Sequence, residues 1–93
     1  MISVNEYFDG NVKSMGYKTA TGTSTLGVMN PGSYEFGTSQ HETMRVIEGE
    51  MTVKLPNATD WKTFKAGEAY EIDANKKFQV KVSVQTSYLC QYK

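Results

Sequence analysis

A chain of 93 residues with ten basic and ten acidic side chains has room for one small hydrophobic core and carries no net charge. Without an excess of positive charge there is no long-range field to hold a phosphate polymer, which makes nucleic acid a poor partner. A hydrophobic content of 39% with 22% charged residues excludes a disordered or membrane-embedded chain. We treat residues 1–93 as a single domain.

The cysteine content and the first residues bear on compartment and assembly. Cys90 is the single cysteine, so no intramolecular disulfide can form. Residues 1–6 carry an acid where a signal peptide needs its apolar run, and no stretch approaches the roughly 18 apolar residues of a membrane-spanning helix. We expect a cytoplasmic protein without membrane contact. Because so small a core gives marginal stability, we also expect a homodimer.

Alternation of polar and apolar residues predicts an all-β fold. In chain order, residues 18–24 are rich in Thr and Gly and are predicted to form a flexible loop before the first strand. The predicted strands then cover residues 25–29, 33–38, 43–48, 51–55, 62–64, 69–72, 78–84 and 87–92.

Turn-forming residues separate these strands. We predict a turn at 30–32, a tight hairpin at 48–50, a longer connection at 56–60 and two further turns at 65–67 and 73–76. Short strands with such regular punctuation are typical of a sandwich or barrel, and they leave little room for a helix.

The middle of the chain resembles the two signatures of the cupin superfamily. Glu42 stands seven residues before Gly49, which is the spacing between the glutamate and the hairpin glycine of the first signature. The key positions of the second signature are taken by Gly67, Asp73, Asn75 and Phe78. The resemblance implies a single small cupin, a jelly-roll-like β-barrel with a central pocket.

The metal-binding histidines of that superfamily have no counterpart here. Two of them would fall near Phe36 and Thr38 and the third at Phe78. A transition metal needs about three or four converging ligands, and Glu42 alone cannot hold one. His41 is the only histidine and is predicted to lie on a loop or the surface, since strand neighbours point to opposite faces. We expect no bound metal.

Over its whole length the sequence is similar to a family of small metal-free cupins, the pyrimidine/purine nucleoside phosphorylases. The similarity is carried by Asn5-Glu6-Tyr7-Phe8-Asp9-Gly10, Val12-Lys13-Ser14, Gly27-Val28-Met29, Ala58-Thr59-Asp60-Trp61 and Thr86-Ser87-Tyr88-Leu89-Cys90. It implies a glycosyltransferase that cleaves purine and pyrimidine ribonucleosides reversibly with inorganic phosphate. The implied products are the free base and ribose 1-phosphate, with no organic cofactor.

Glu42 is the predicted catalytic residue. Positive charge develops on the ribose as the base departs, and a fixed carboxylate can stabilise that charge and hold a hydroxyl. The attacking phosphate needs donors, for which Lys13 and Arg45 are the candidate cations. Because strand alternation puts Arg45 on the face opposite Glu42, Lys13 ranks first. A solvated surface role stays open for each of these charges.

Aromatic side chains are the predicted substrate-binding surface. Tolerance of many bases favours stacking, because every base has a π face. Tyr34 and Phe36 share a strand face, and Phe78 takes the position of the last cupin histidine. Tyr88 shares a face with Cys90 and Tyr92 on the last strand. Simple core packing is the alternative for each ring, and for Cys90 we favour it over a nucleophilic role.

Two other classes of function fit the same residues. A cupin that has lost its metal ligands and shows no evident acid–base pair could bind a small molecule without turning it over. An interaction domain whose barrel is filled with aromatic side chains is the third reading. Phosphate-dependent release of free base from a nucleoside distinguishes the enzyme from both.

Overall fold

The computed structural model describes residues 2–93, which form ten β-strands in two antiparallel sheets. The strands are β1 (Ser3–Tyr7), β2 (Val12–Thr19), β3 (Gly22–Met29), β4 (Gly32–Gly37), β5 (Glu42–Glu48), β6 (Glu50–Lys54), β7 (Lys62–Lys65), β8 (Ala69–Ile72), β9 (Lys77–Val82) and β10 (Thr86–Tyr92). The large sheet has the order β1-β2-β3-β10-β5-β8, and the small sheet has the order β4-β9-β6-β7. The predicted all-β class is confirmed.

The core lies between the two sheets and follows the period-two alternation of the strands. On β9 every second residue is buried, namely Phe78, Val80 and Val82. On β5 the buried residues Met44 and Val46 alternate with exposed neighbours. This alternation explains why the later strands were predictable from sequence. Residues 2–93 include no helix long and apolar enough to cross a membrane.

The connections at 30–32, 48–50, 65–67 and 73–76 pass from one sheet to the other. The hairpin predicted at 48–50 is therefore wrong, because β5 pairs with β10 and β8 whereas β6 pairs with β7 and β9. Gly49 has a φ of 91°, and a Cβ there would lie 2.5 Å from Thr86 Oγ1. A glycine marks the reversal of the chain, but it does not determine whether the two strands join the same ladder.

The N-terminal third contains more strand than the sequence pattern predicted, because the pattern assigned only residues 25–29 of this region to a strand. β1, β2 and β3 form a continuous antiparallel meander, with Lys18 opposite Thr23 and Thr19 opposite Gly22. The flexible loop predicted at 18–24 is therefore wrong. Only residues 20–21 turn, and β-branched Thr side chains suit the paired strands on either side.

Candidate functional site

A cavity of about 370 Å³ lies between the inner faces of the two sheets. That volume is within the range typical of sites for small organic ligands. Its lining comprises Tyr7, Phe8, Ser14, Thr25, Met29, Glu35, Phe36, Gly37, Glu42, Met44, Phe78, Tyr88, Cys90 and Tyr92.

The wall formed by the large sheet is polar. Glu42 on β5 is half-buried and is paired across the strands with Tyr92 on β10. The Cys90 thiol donates to Glu42 Oε1 at 3.4 Å. The Tyr92 hydroxyl lies 3.1 Å from Thr25 Oγ1 on β3. A carboxylate, a thiol and two hydroxyls therefore form a row across three adjacent strands.

The wall formed by the small sheet is aromatic. Phe36 on β4 and Phe78 on β9 are cross-strand partners whose rings stack at 5.6 Å with an interplanar angle of 29°. Phe8, from the turn after β1, packs edge-on against Phe36 at 5.5 Å and 85°. An aromatic surface thus faces the polar row across the cavity, which suits a ligand with one flat apolar part and one hydroxylated part.

A glycine on β3 makes room for the ring of Tyr88. Gly27 is opposite Tyr88 on the paired strands, and a Cβ at Gly27 would lie 2.5 Å from Tyr88 Cζ. The tyrosine ring therefore lies across the sheet over the glycine, whose partner on β2 is Ser14. The absence of a side chain at Gly27 therefore determines where the Tyr88 ring lies in the cavity lining.

Burial shifts the pKa values of the titratable groups in the polar row. It raises the pKa of Glu42 above its usual value, against the lowering effects of the Cys90 hydrogen bond and of nearby His41. Burial also raises the pKa of Cys90 to about 12 and, likewise, the pKa of Tyr92. The thiol and the phenol therefore stay protonated at neutral pH, and both remain hydrogen-bond donors.

Replacing Cys90 tests the coupling between the thiol and the carboxylate. In Cys90→Ala the carboxylate loses a donor that stabilises its charged form, so we expect the pKa of Glu42 to rise further. Cys90→Ser keeps a donor and is expected to titrate like the wild type. Carbon-13 NMR of the Glu42 carboxyl measures both. Identical titration curves for the alanine variant and the wild type would show that the contact has no electrostatic effect.

Four of the residues singled out from sequence line the cavity together, namely Glu42, Phe36, Phe78 and Tyr88. Tyr34 was assigned to the same surface but does not line it. Its hydroxyl donates to the Asn30 carbonyl at 2.7 Å, and its ring packs behind Phe8 at 4.9 Å. The shared strand face was correct, but Phe8 lies between Tyr34 and the cavity.

Neither of the two predicted phosphate-binding cations lines the cavity. Lys13 points outward between buried Val12 and Ser14, and its Nζ lies 3.3 Å from Glu6 Oε1. Arg45 points outward as strand alternation predicted, and it donates to the Gly67 carbonyl at 2.9 Å. Strand parity thus directs both cations away from the inner face.

Sequence reasoning missed several lining residues, chiefly Phe8, Ser14 and Thr25. Tyr92, which strand parity grouped with Tyr88, does line the cavity. Ser14 and Thr25 gave no signal, because small polar residues on the inner face of a strand look like solvent-exposed positions.

His41 lies at the surface, as predicted. Its Nε2 is 2.8 Å from Glu71 Oε1, and its Nδ1 is 3.5 Å from Asp73 Oδ1. Among residues 2–93, no group of three or more His, Cys, Asp or Glu side chains could hold a metal ion. The expectation of a metal-free protein stays a prediction.

Comparison with known proteins identifies the family. The family model described as pyrimidine/purine nucleoside phosphorylase matches residues 2–92. Proteins of that name from Pseudoalteromonas atlantica and Alcanivorax borkumensis are 62% and 60% identical to this chain over 92 residues. The alignments cover 99% of this chain in both cases, and 99% and 98% of the relatives.

Solved structures agree with this result. A protein of unknown function from Vibrio parahaemolyticus superposes with a TM-score of 0.97 at 40% identity, covering 100% of this chain and 99% of that one. An RmlC-like cupin from Shewanella frigidimarina superposes with a TM-score of 0.74 at 13% identity, covering 98% and 82%. The second match concerns the fold alone and confirms the predicted cupin architecture. From the full-length family match, this chain belongs to the pyrimidine/purine nucleoside phosphorylase family.

Proposed function

We propose that residues 1–93 act as a single-domain nucleoside phosphorylase of broad specificity. It cleaves purine and pyrimidine ribonucleosides with inorganic phosphate to free base and ribose 1-phosphate. The observation that carries the proposal is the full-length match to relatives that bear this name. The cavity supports it, because a carboxylate faces a stacked aromatic surface there. We further propose that the reaction takes place in the cytoplasm, where both substrates are metabolites.

The aromatic wall is the proposed binding surface for the base. Phe36 and Phe78 present ring faces and carry no hydrogen-bonding groups, so they distinguish poorly between one base and another. A site that does not read the edge of the base accepts purines and pyrimidines alike. Stacking therefore accounts for broad specificity without requiring separate contacts for each base.

Glu42 is the proposed catalytic residue. A phosphate oxygen bonds to the anomeric carbon, and the bond from that carbon to the base nitrogen breaks with its electron pair staying on the base, which then takes up a proton. Positive charge develops on the sugar during this exchange. The half-buried Glu42 carboxylate faces the cavity from the polar wall, where it can stabilise that charge.

Phosphate is proposed to bind through hydroxyl donors. The lining residues, which all belong to the described part of the chain, include no Lys and no Arg. Ser14 and Tyr88 both line the cavity from the large sheet, as the partners of Gly27 on the two strands beside β3. Burial raises the pKa of Tyr88 to about 12, which keeps its hydroxyl a donor at neutral pH. Holding both reactants in line is then the main contribution to rate.

Product analysis with a nucleoside panel tests the proposal. Adenosine, inosine, uridine and cytidine are each incubated with the protein, with and without phosphate. We expect free base from all of them, only when phosphate is present. Nucleoside-induced thermal stabilisation without turnover would instead identify a binding module. If neither turnover nor stabilisation is observed, the result would favour an interaction domain that does not bind nucleosides.

A homodimer through the outer face of the large sheet is the proposed assembly. Val4, Met15, Leu26, Val28 and Ile47 are all exposed, each with 42% to 69% of its surface accessible. Together they line one shallow apolar depression on that face. A contiguous apolar patch of this kind is typical of an association surface, and a second copy would add buried area to a small core.

Charge introduced into the patch is expected to dissociate the dimer. Leu26→Lys places an ammonium group in the middle of the apolar face, so a two-fold contact would bring two like charges together. Sedimentation velocity should show a dimer for the wild type and a monomer for the variant. Val84→Lys is the matched control, since Val84 is exposed but does not line the depression. A monomeric wild type would contradict the proposed assembly.

A further inference from the structure

Thr25 and Tyr92 are the members of the polar row that the proposed mechanism does not yet use. Their hydroxyl oxygens lie 3.1 Å apart at the cavity lining. Tyr92 is directly opposite Glu42 on the paired strands β10 and β5. Cross-strand partners of this kind have Cβ atoms about 5 Å apart on the same face, so a small group can contact both side chains.

We infer that Thr25 and Tyr92 hold the ribose hydroxyls of the nucleoside together with Glu42, and that they determine preference for ribonucleosides over 2′-deoxyribonucleosides. This inference rests on the proposed function, because it takes a nucleoside as the ligand. It adds discrimination between ribonucleosides and 2′-deoxyribonucleosides to that function. Neither the aromatic wall nor Glu42 alone supplies this discrimination.

The chemistry of the row fits a neutral diol better than a phosphate. A sugar hydroxyl donates to a carboxylate and exchanges hydrogen bonds with other hydroxyls. Phosphate beside Glu42 would place two anions next to each other in a partly buried site, which is unfavourable. The Thr25–Tyr92 pair and the Glu42 carboxylate therefore suit the 2′- and 3′-hydroxyls.

The arrangement of the two walls also directs the sugar of a bound nucleoside towards the polar row. The aromatic wall comes from β4 and β9, whereas Thr25 and Tyr92 belong to β3 and β10 on the opposite sheet. A base stacked on Phe36 and Phe78 leaves the attached sugar facing the polar row across the cavity. The raised pKa of Tyr92 keeps its hydroxyl protonated beside the ligand.

Paired kinetics with uridine and 2′-deoxyuridine test the inference. Tyr92→Phe removes only the hydroxyl, and Thr25→Val keeps the side-chain shape. For each variant we expect kcat/KM for uridine to fall about tenfold, because one or two hydrogen bonds to the ribose are lost. We expect kcat/KM for 2′-deoxyuridine to fall less than about threefold, because this substrate lacks the 2′-hydroxyl. Tyr17→Phe is the control. Tyr17 does not line the cavity, and it follows Gly16, the partner of Thr25 on β2, so its side chain points to the opposite face of the strand. This variant should leave both values unchanged.

Equal losses with the two substrates, or no loss with either, would overturn the inference. A wild-type protein that turns over neither substrate would refute the proposed function instead. In that case, calorimetric titration of the same proteins with the two nucleosides decides the inference separately. Weaker binding of uridine alone in Tyr92→Phe would support it, and indistinguishable binding in variant and wild type would overturn it.

Discussion

Glu42→Gln is expected to lower the turnover of nucleosides at least about tenfold while leaving the fold intact. The substitution keeps the size of the side chain and lets its oxygen go on accepting from Cys90. It removes the negative charge that faces the sugar as positive charge develops there. Initial rates of base release at saturating phosphate provide the measurement.

The same substitution is expected to increase stability at neutral pH. Burial raises the pKa of Glu42 in the folded protein above 4.5, its usual value, so the ionised carboxylate is less favourable there than in the unfolded chain. The contribution of protonated Glu42 is fully present below its unfolded pKa and is lost as pH rises through the folded value. The variant should therefore be more stable than the wild type above this window, with the difference vanishing at lower pH.

Glu48→Gln is the matched control for both effects. Glu48 lies on the same strand but is exposed and does not line the cavity. Its substitution should change neither the rate of base release nor the stability of the protein at neutral pH. A Glu42→Gln protein with near-normal turnover would remove Glu42 from its catalytic role, whatever the stability measurement shows.

Gly27→Ala is expected to destabilise the protein by about 1–3 kcal/mol through overpacking. A Cβ at residue 27 would lie 2.5 Å from Tyr88 Cζ and 2.7 Å from Tyr88 Cε1, so the ring must move. Tyr88 is 6% exposed, and the cavity that it lines is open space beside the ring. Displacement of the ring into the cavity should also raise KM for nucleosides. Urea denaturation and steady-state kinetics measure the two effects.

A double-mutant cycle separates this clash from a general effect of adding a methyl group. Tyr88→Leu removes the ring atoms that the new Cβ would meet, so Gly27→Ala should cost much less in that background. Gly37→Ala is the control, because its nearest neighbour would be the Lys76 carbonyl oxygen at 4.0 Å. Equal costs of Gly27→Ala in the two backgrounds would contradict the placement of Tyr88.

The strands after residue 30 were predictable because most of their inner positions are apolar and most of their outer positions polar. β9 shows this in Phe78, Val80 and Val82, which face the core between exposed residues. Glu42 and Phe78 were identifiable as pocket residues through their positions in the cupin signatures. Their convergence on one cavity follows from that resemblance together with strand parity.

β1, β2 and the first residues of β3 escaped prediction, and on β2 and β3 the polarity of the two faces is reversed. On β2 the buried inner positions include Ser14, whereas the outer position Met15 is exposed. On β3 Thr25 lines the cavity, while Leu26 and Val28 face outward. An inner face that lines a polar cavity and an outer face that is apolar invert the expected pattern. For the same reason the sequence could not show that Lys13 points away from the site.

Phosphorus-31 NMR can follow the formation of ribose 1-phosphate from uridine. We expect wild-type protein to convert inorganic phosphate to ribose 1-phosphate as uracil accumulates in equal amount, and Glu42→Gln protein to do so at least about ten times more slowly. Uracil released without consumption of phosphate, or equal rates for the two proteins, would contradict this expectation.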